Sequence, residues 1–214
     1  TNTTEESSAA SDVYKRQAYS YFRYEAHLAA LNSLDVHREV AAAFETTFGR
    51  KHEAVEAYHT NDAEIVLVMI GSFSTKAKAA VDQLRDAGWR VGLARLRLLR
   101  PFPVDDIRRV LSGKDGVAVI DQNLSMGKGG VIHAEVASAL YGSPGAPPIL
   151  ASFIGGLGGR DISAEEFYEI ASETRKAVQD ERPPPPRLLY TGDVLREIRK
   201  LQVIAEVERH ELES

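Results

Sequence analysis

Residues 116–130, GVAVIDQNLSMGKGG, decide the fold. Val117, Ala118, Val119 and Ile120 form a continuous apolar run, the pattern of a strand buried on both faces of a parallel sheet. Asp121 ends the run with a charge. Asn123, Ser125, Gly127, Gly129 and Gly130 follow, small residues whose backbone turns sharply and whose amides can be approached closely. Ile132, Val136, Ala139 and Leu140 then recur at helical spacing, which predicts a helix from about Val131 that stops before Gly142. Strand, polar glycine loop and helix in this order mark where α/β domains set their contacts, at the carboxyl ends of the strands.

The alternation repeats on both sides. Upstream, Ile65–Ile70 is a buried strand ending at Gly71-Ser72, and the next helix shows Ala77, Ala80, Val81 and Leu84 on one face before Gly88. Trp89–Leu98 reads as a second strand, with Arg95 and Arg97 alternating with Leu96 and Leu98. Pro101 and Pro103 break the chain, and Val104, Ile107, Val110 and Leu111 make a short helix. Downstream, the apolar run Ile149–Ile154 leads into Gly155-Gly156-Leu157-Gly158-Gly159-Arg160-Asp161. Ser163 with Glu166 is a capping box, Ile162 with Phe167 is spaced as a hydrophobic staple, and a helix runs to about Val178. The predicted fold is α/β: three layers around a mainly parallel sheet of about five strands, with flanking N- and C-terminal helices. Right-handed crossovers would set the loops at Gly71, Leu99–Pro103, Asp121–Gly130 and Gly155–Asp161 along one edge.

Four segments follow from composition. Residues 1–17 are polar and aperiodic and are expected to be disordered. Within them Ser11–Gln17, SDVYKRQ, resembles a translated sequencing adapter, so the native chain is expected to continue differently upstream of Ala18. Residues 18–62 read as a helical linker from a preceding domain, with a helix from about Glu25, a break near Asn32-Ser33, and closure at Gly49. Residues 63–182 are the α/β domain. Residues 183–214 are a proline-rich spacer and a last helix from Asp193, whose Val194, Leu195, Ile198, Leu201 and Ile204 could dock on a core or a neighbour.

Net charge is −5, and no Lys/Arg run gives a footprint for nucleic acid. No apolar stretch reaches the roughly 20 residues that cross a bilayer, so no membrane role is expected. Cysteine is absent, which removes thiol catalysis and cysteine-ligated zinc or iron–sulfur clusters from this chain and fits a cytoplasmic location. The histidines at 27, 37, 52, 59, 133 and 210 lack metal-ligand spacing, and His52 and His59 read as surface residues. No catalytic residue, metal ligand or cofactor ligand is therefore assigned in this chain. A glycine loop before a helix can receive an anion, because the first amides of the helix are unpaired. The nucleotide fingerprints are absent here, and a tight connection packed against another domain uses the same residues.

Three motifs carry a resemblance: LRLLRPFP at 96–103, GVAVIDQNLSMGKGG followed by HAEVASALYG, and IGGLGGRDI at 154–162. Together, with Phe22-Arg23-Tyr24 and Phe48-Gly49-Arg50 upstream, they resemble the alpha subunit of pyruvate:ferredoxin oxidoreductases. These belong to the 2-oxoacid:acceptor oxidoreductase family, and the domain is akin to the C-terminal domain of transketolase. The likeness covers about Tyr19 to Val178. Asp-Gln-Asn with Ser125 and Gly127 looks closer to the pyruvate type, although Gln122 stands where the family pattern leads one to expect Arg.

The resemblance implies coenzyme A-dependent oxidative decarboxylation of pyruvate with electrons passed to ferredoxin, or the reverse. Thiamine diphosphate, Mg and iron–sulfur clusters would sit in the whole complex, on beta, gamma and delta-type subunits or on the preceding domain, and none on this chain. It implies interdomain or subunit contacts for Arg100, Asp121, Asn123, Ser125, Gly127, Gly129, Gly130, Gly158, Gly159, Arg160 and Asp161. Two alternatives stay open: a stand-alone anion- or nucleotide-binding module, and the equivalent domain of a transketolase or a 2-oxoacid dehydrogenase beta subunit.

Overall fold

A computed structural model describes residues 3–189 and 192–213. Residue contacts divide the chain into two units, Thr1–Ala54 with Leu98–Pro103, and Val55–Arg97 with Val104–Ser214. The first unit is built on one helix, α1 (Thr3–Phe48). It passes through Asn32-Ser33 unbroken, because Ser33 folds its hydroxyl onto the Ala30 carbonyl instead of competing for a turn. Thr46 and Thr47 do the same at Ala42 and Ala43. Gly49, at φ +67°, ends the helix as the sequence predicts, with its amide on Glu45 O. Past it, the Arg50 guanidinium lies 5.4 Å from the Phe44 ring, and Leu98 N donates to Ala54 O. Residues 3–17 are helical, not disordered; their Glu, Ala, Lys and Arg content carries helix propensity even without an apolar stripe.

The second unit is the α/β body: β1 (Val55–Tyr58), β2 (Ile65–Ile70), α2 (Ser74–Asp86), β3 (Val91–Leu96), α3 (Val104–Leu111), β4 (Gly116–Asp121), α4 (Val131–Leu140), β5 (Ile149–Ile154), α5 (Ala164–Gln179), β6 (Arg187–Leu188) and α6 (Gly192–Glu213). The strands form one six-stranded sheet in the order β1-β3-β2-β4-β5-β6. β2 to β6 are parallel, and β1 runs antiparallel to β3 with Val55 opposite Leu96. Continuous apolar strands are what a parallel sheet covered on both faces requires, and all six residues of β4 are buried.

Helices α2 and α5 pack together on one face and α3 and α4 on the other, giving three layers. The α2 and α5 side holds Leu67, Met69, Val81, Leu84, Leu93, Ile120, Phe153, Phe167 and Ile170 in one core. Full burial of side chains of this size contributes roughly 1.5–3 kcal/mol each. Because β3 lies on one side of β2 and β4 on the other, the strand order reverses between β2 and β4. The carboxyl ends of those two strands flank the crevice where doubly wound folds bind ligands.

The sheet begins at Val55 and not at residue 63, so part of the expected linker is a strand. In β1 only Val55 is fully buried while Ala57 is exposed, and Glu56 is held by Lys78 and Arg97. The spacer at 183–214 also contributes, since β6 joins β5 and Leu189 enters the core. The second strand is shorter than Trp89–Leu98, because Trp89 leaves the sheet and its ring lies 5.4 Å from Tyr168. On α6, Leu195, Leu201 and Ile204 remain exposed and do not dock on a core. No described helix is long and apolar enough to cross a membrane.

Candidate functional site

The rim at the carboxyl ends of β2, β4 and β5 is organised by one buried carboxylate. Asp121 ends β4, and its side chain is 0% exposed. Its Oδ1 accepts from the Ile132 amide at 2.7 Å and its Oδ2 from the His133 amide at 3.1 Å. Gly130 occupies the N-cap position of α4 and has no side chain to offer, so Asp121 caps the helix from the neighbouring strand. A Cβ at Gly130 would stand 2.0 Å from Asp121 Oδ2, which explains the glycine by close approach alone. Burial pushes the Asp121 carboxyl above its ordinary range, against the Ile132 and His133 amides that favour the ionised form. Asp121 is therefore withdrawn from the expected contact residues: with no surface, it cannot touch a partner.

The loop it anchors is a small closed hairpin. Ser125 and Gly129 form an antiparallel bridge, with Ser125 N on Gly129 O and both Lys128 N and Gly129 N on Ser125 O, each at 2.9 Å. That closure needs the left-handed backbone of Gly127 (φ +77°) and Gly129 (φ +104°). Asn123 Oδ1 receives the Val131 amide at 3.4 Å and ties the foot of the loop to α4. Asn123, Met126 and Lys128 are exposed, and Met126 stands at the tip.

Between β2 and β4 the crevice is filled by Gln122. Its Nε2 donates to the Ile70 carbonyl at 2.7 Å, and the amide lies against Gly71, where a Cβ would come within 3.3 Å. Gly156 packs on the other side, within reach of Gln122 Cγ, the Phe73 ring and the Arg160 carbonyl. One glutamine thus joins the loops after β2, β4 and β5. Sequence reasoning noted Gln122 only as a departure from a pattern; the signal for its role was its place one residue past the strand end, level with Gly71.

The β5 loop folds down onto its own domain. Arg160 donates to the Leu189 carbonyl at 3.2 Å and pairs with Glu166, whose side chain is 5% exposed. Glu166 also accepts from Ser163 N at 2.8 Å while Ser163 Oγ accepts from Glu166 N, so the predicted capping box is present. Asp161 pairs with Lys76 across to α2 and accepts from Ile162 N, and the Lys76 hydrogen bond holds its carboxyl below the ordinary range. Gly158 and Gly159 form the exposed turn just before Arg160, with positive φ at both. Register sets Asp121 opposite Ile154 on parallel strands, so the β4 and β5 loops leave the sheet at the same edge. Arg100 lies in the first unit, where it donates to Leu99 O at 2.8 Å.

The rim thus has the backbone of an anion site without its free amides, because Asp121 already occupies them. Among the described residues, no group of three His, Asp or Glu side chains could hold a metal ion. The family model for pyruvate:ferredoxin oxidoreductase core domain II matches residues 63–167, the stretch that contains this rim. Residues 63–167 are a core domain II of the pyruvate:ferredoxin oxidoreductase family. The chain is 41% identical over 149 residues to pyruvate synthase subunit PorA of Thermotoga maritima, covering 70% of this chain and 36% of that subunit. Similarity to PorA of Pyrococcus abyssi is 37% over 161 residues, covering 75% and 40%. Ketoisovalerate oxidoreductase subunit VorA of the same organism is 36% identical over 162 residues, covering 75% and 41%. The chain thus spans about 40% of the length of the curated relatives it matches. Among solved structures, a 2-oxoglutarate:ferredoxin oxidoreductase from Magnetococcus marinus, with 2-oxoglutarate, coenzyme A and succinyl-CoA bound, aligns over 64% of this chain and 21% of its own. That alignment has 18% identity and a TM-score of 0.44.

Proposed function

We propose that this chain is the C-terminal part of the alpha subunit of a cytoplasmic pyruvate:ferredoxin oxidoreductase, and that core domain II serves assembly and not chemistry. The complex would decarboxylate pyruvate oxidatively to acetyl-CoA and reduce ferredoxin, or run in reverse. Beta, gamma and delta-type subunits and the preceding alpha-subunit domain would hold thiamine diphosphate, Mg and the iron–sulfur clusters. The observation that carries the reading is the internal capping of α4. A phosphate or pyrophosphate entering the rim would meet the Asp121 carboxylate on the amides it needs, and Gln122 in the crevice. The residues here do not fit thiamine diphosphate, so no step of the reaction is drawn through it. With no cysteine, the chain cannot ligate an iron–sulfur cluster by thiolate. On this reading Asn123, Ser125, Gly127, Gly129, Gly158 and Gly159 face a neighbouring domain or subunit, while Arg160 and Asp161 shape their loop from within.

The test has two arms. The purified complex containing this chain should reduce ferredoxin in a reaction that needs both pyruvate and coenzyme A. Faster turnover of ketoisovalerate would move the substrate to the branched 2-oxoacids, the specificity named for the VorA relative. Alone, the chain should keep its melting temperature in coenzyme A or thiamine diphosphate with Mg. A ligand at a hundredfold its dissociation constant would stabilise by about 2.7 kcal/mol, and such a shift would favour the independent binding module.

A further inference from the structure

We propose that Leu124 and Met126 form an apolar anchor that enters a socket on a neighbouring subunit, with an acidic group on the socket's rim meeting Lys128. The inference rests on the assembly role proposed above and names the residues that carry it. Met126 is 86% exposed and Leu124 38%, in a loop whose backbone is closed by the Ser125–Gly129 bridge and whose foot is pinned by Asn123 and Asp121. Scattered apolar side chains on a surface are ordinary. An apolar side chain held in water at the tip of a loop closed by the Ser125–Gly129 bridge differs, because the closure orders the loop without burying that side chain. A loop already in its bound shape loses little freedom on docking, and the thioether adapts to an irregular socket. Lys128, two positions on and exposed, sets the sign of the rim. The β5 loop beside it makes the contrast: its charged residues are spent on Glu166, Leu189 and Lys76 of the same chain. A partner is at hand on this reading, since the similar PorA and VorA proteins are named as subunits of oxidoreductases.

The chain carries its own probe. It has two methionines, and the other, Met69, is 0% exposed in the core. Dilute hydrogen peroxide oxidises an exposed thioether to the sulfoxide and is itself reduced to water. In the free chain Met126 should oxidise readily and Met69 slowly. In the chain assembled with its purified partner subunits, oxidation of Met126 should slow at least tenfold while Met69 is unchanged. The double variant L124S/M126Q should bind those subunits at least thirtyfold more weakly with the melting temperature of the free chain preserved. Met126→Leu should restore binding, and Lys128→Glu should weaken it in a manner that salt reduces. Equal Met126 oxidation in free and assembled chain, or wild-type affinity in L124S/M126Q, overturns the anchor while leaving the assembly role standing. Failure of the wild-type chain to join those subunits overturns both.

Discussion

The loops after β4 and β5 look alike in sequence and behave oppositely. Each opens with a residue at a strand end, runs through several glycines and enters a helix. In the β4 loop the charge turns inward: Asp121 is buried under α4, and the hairpin above it projects Met126 into solvent. In the β5 loop the charges lie flat, with Arg160 on Glu166 and Leu189 and Asp161 on Lys76, and the glycines make only a short turn. Glycine content says that a loop can turn. What the adjacent charge finds to bond decides whether the loop stands up or lies down.

Substitutions can break this contrast in graded steps. The largest effect is expected from Asp121→Ala, which leaves the Ile132 and His133 amides unpaired in a buried site; about 3 kcal/mol of stability should be lost, read by chemical denaturation. Gly130→Ala should cost about as much, because its Cβ would collide with the same carboxylate. Arg160→Ala comes next at about 2 kcal/mol, since it strips a partner from the nearly buried Glu166. Ser163→Ala removes half of the capping box for about 1 kcal/mol. Lys76→Ala breaks an ion pair whose partners are both more than half exposed and should change stability by less than about 0.5 kcal/mol.

The two aspartates should also titrate in opposite senses. Asp121 binds its proton more tightly folded than unfolded, so its contribution is fully present below its ordinary value of 3.8 and is lost as pH rises through the raised native value. Asp161 is held low by Lys76, so its smaller, exposed contribution is present above 3.8 and is lost as pH falls. Denaturation midpoints measured from pH 2 to pH 6 should lose a downward slope above pH 4 in Asp121→Asn. In Asp161→Asn they should lose an upward slope below pH 4. Loss on the same side in both variants would contradict the contrast.

Elements with a strong period or a strong signal were legible from the sequence. The ranges of β2 and β5 coincide with their apolar runs, and the α5 start follows from the Ser163–Glu166 box. The edges were not. β1 is a four-residue strand with one fully buried side chain, and β6 is two residues behind a run of prolines, so neither gives a period to read. At the rim, Asp121 was visible as an important position but with the wrong direction, because its partners are backbone amides eleven and twelve residues ahead that no side-chain pattern announces. Gln122 was missed as a structural residue for the same reason: its acceptor is the Ile70 carbonyl on the neighbouring strand.

Amide hydrogen exchange on the free chain and on the chain in the proposed complex tests the assembly role most directly. Added protection should fall on residues 123–130 and 156–159, at the carboxyl edge of the sheet. The opposite edge, at Glu64, Arg90 and Asp115, should exchange as before. Protection confined to that opposite edge, with the Met126 hairpin unchanged, would contradict it.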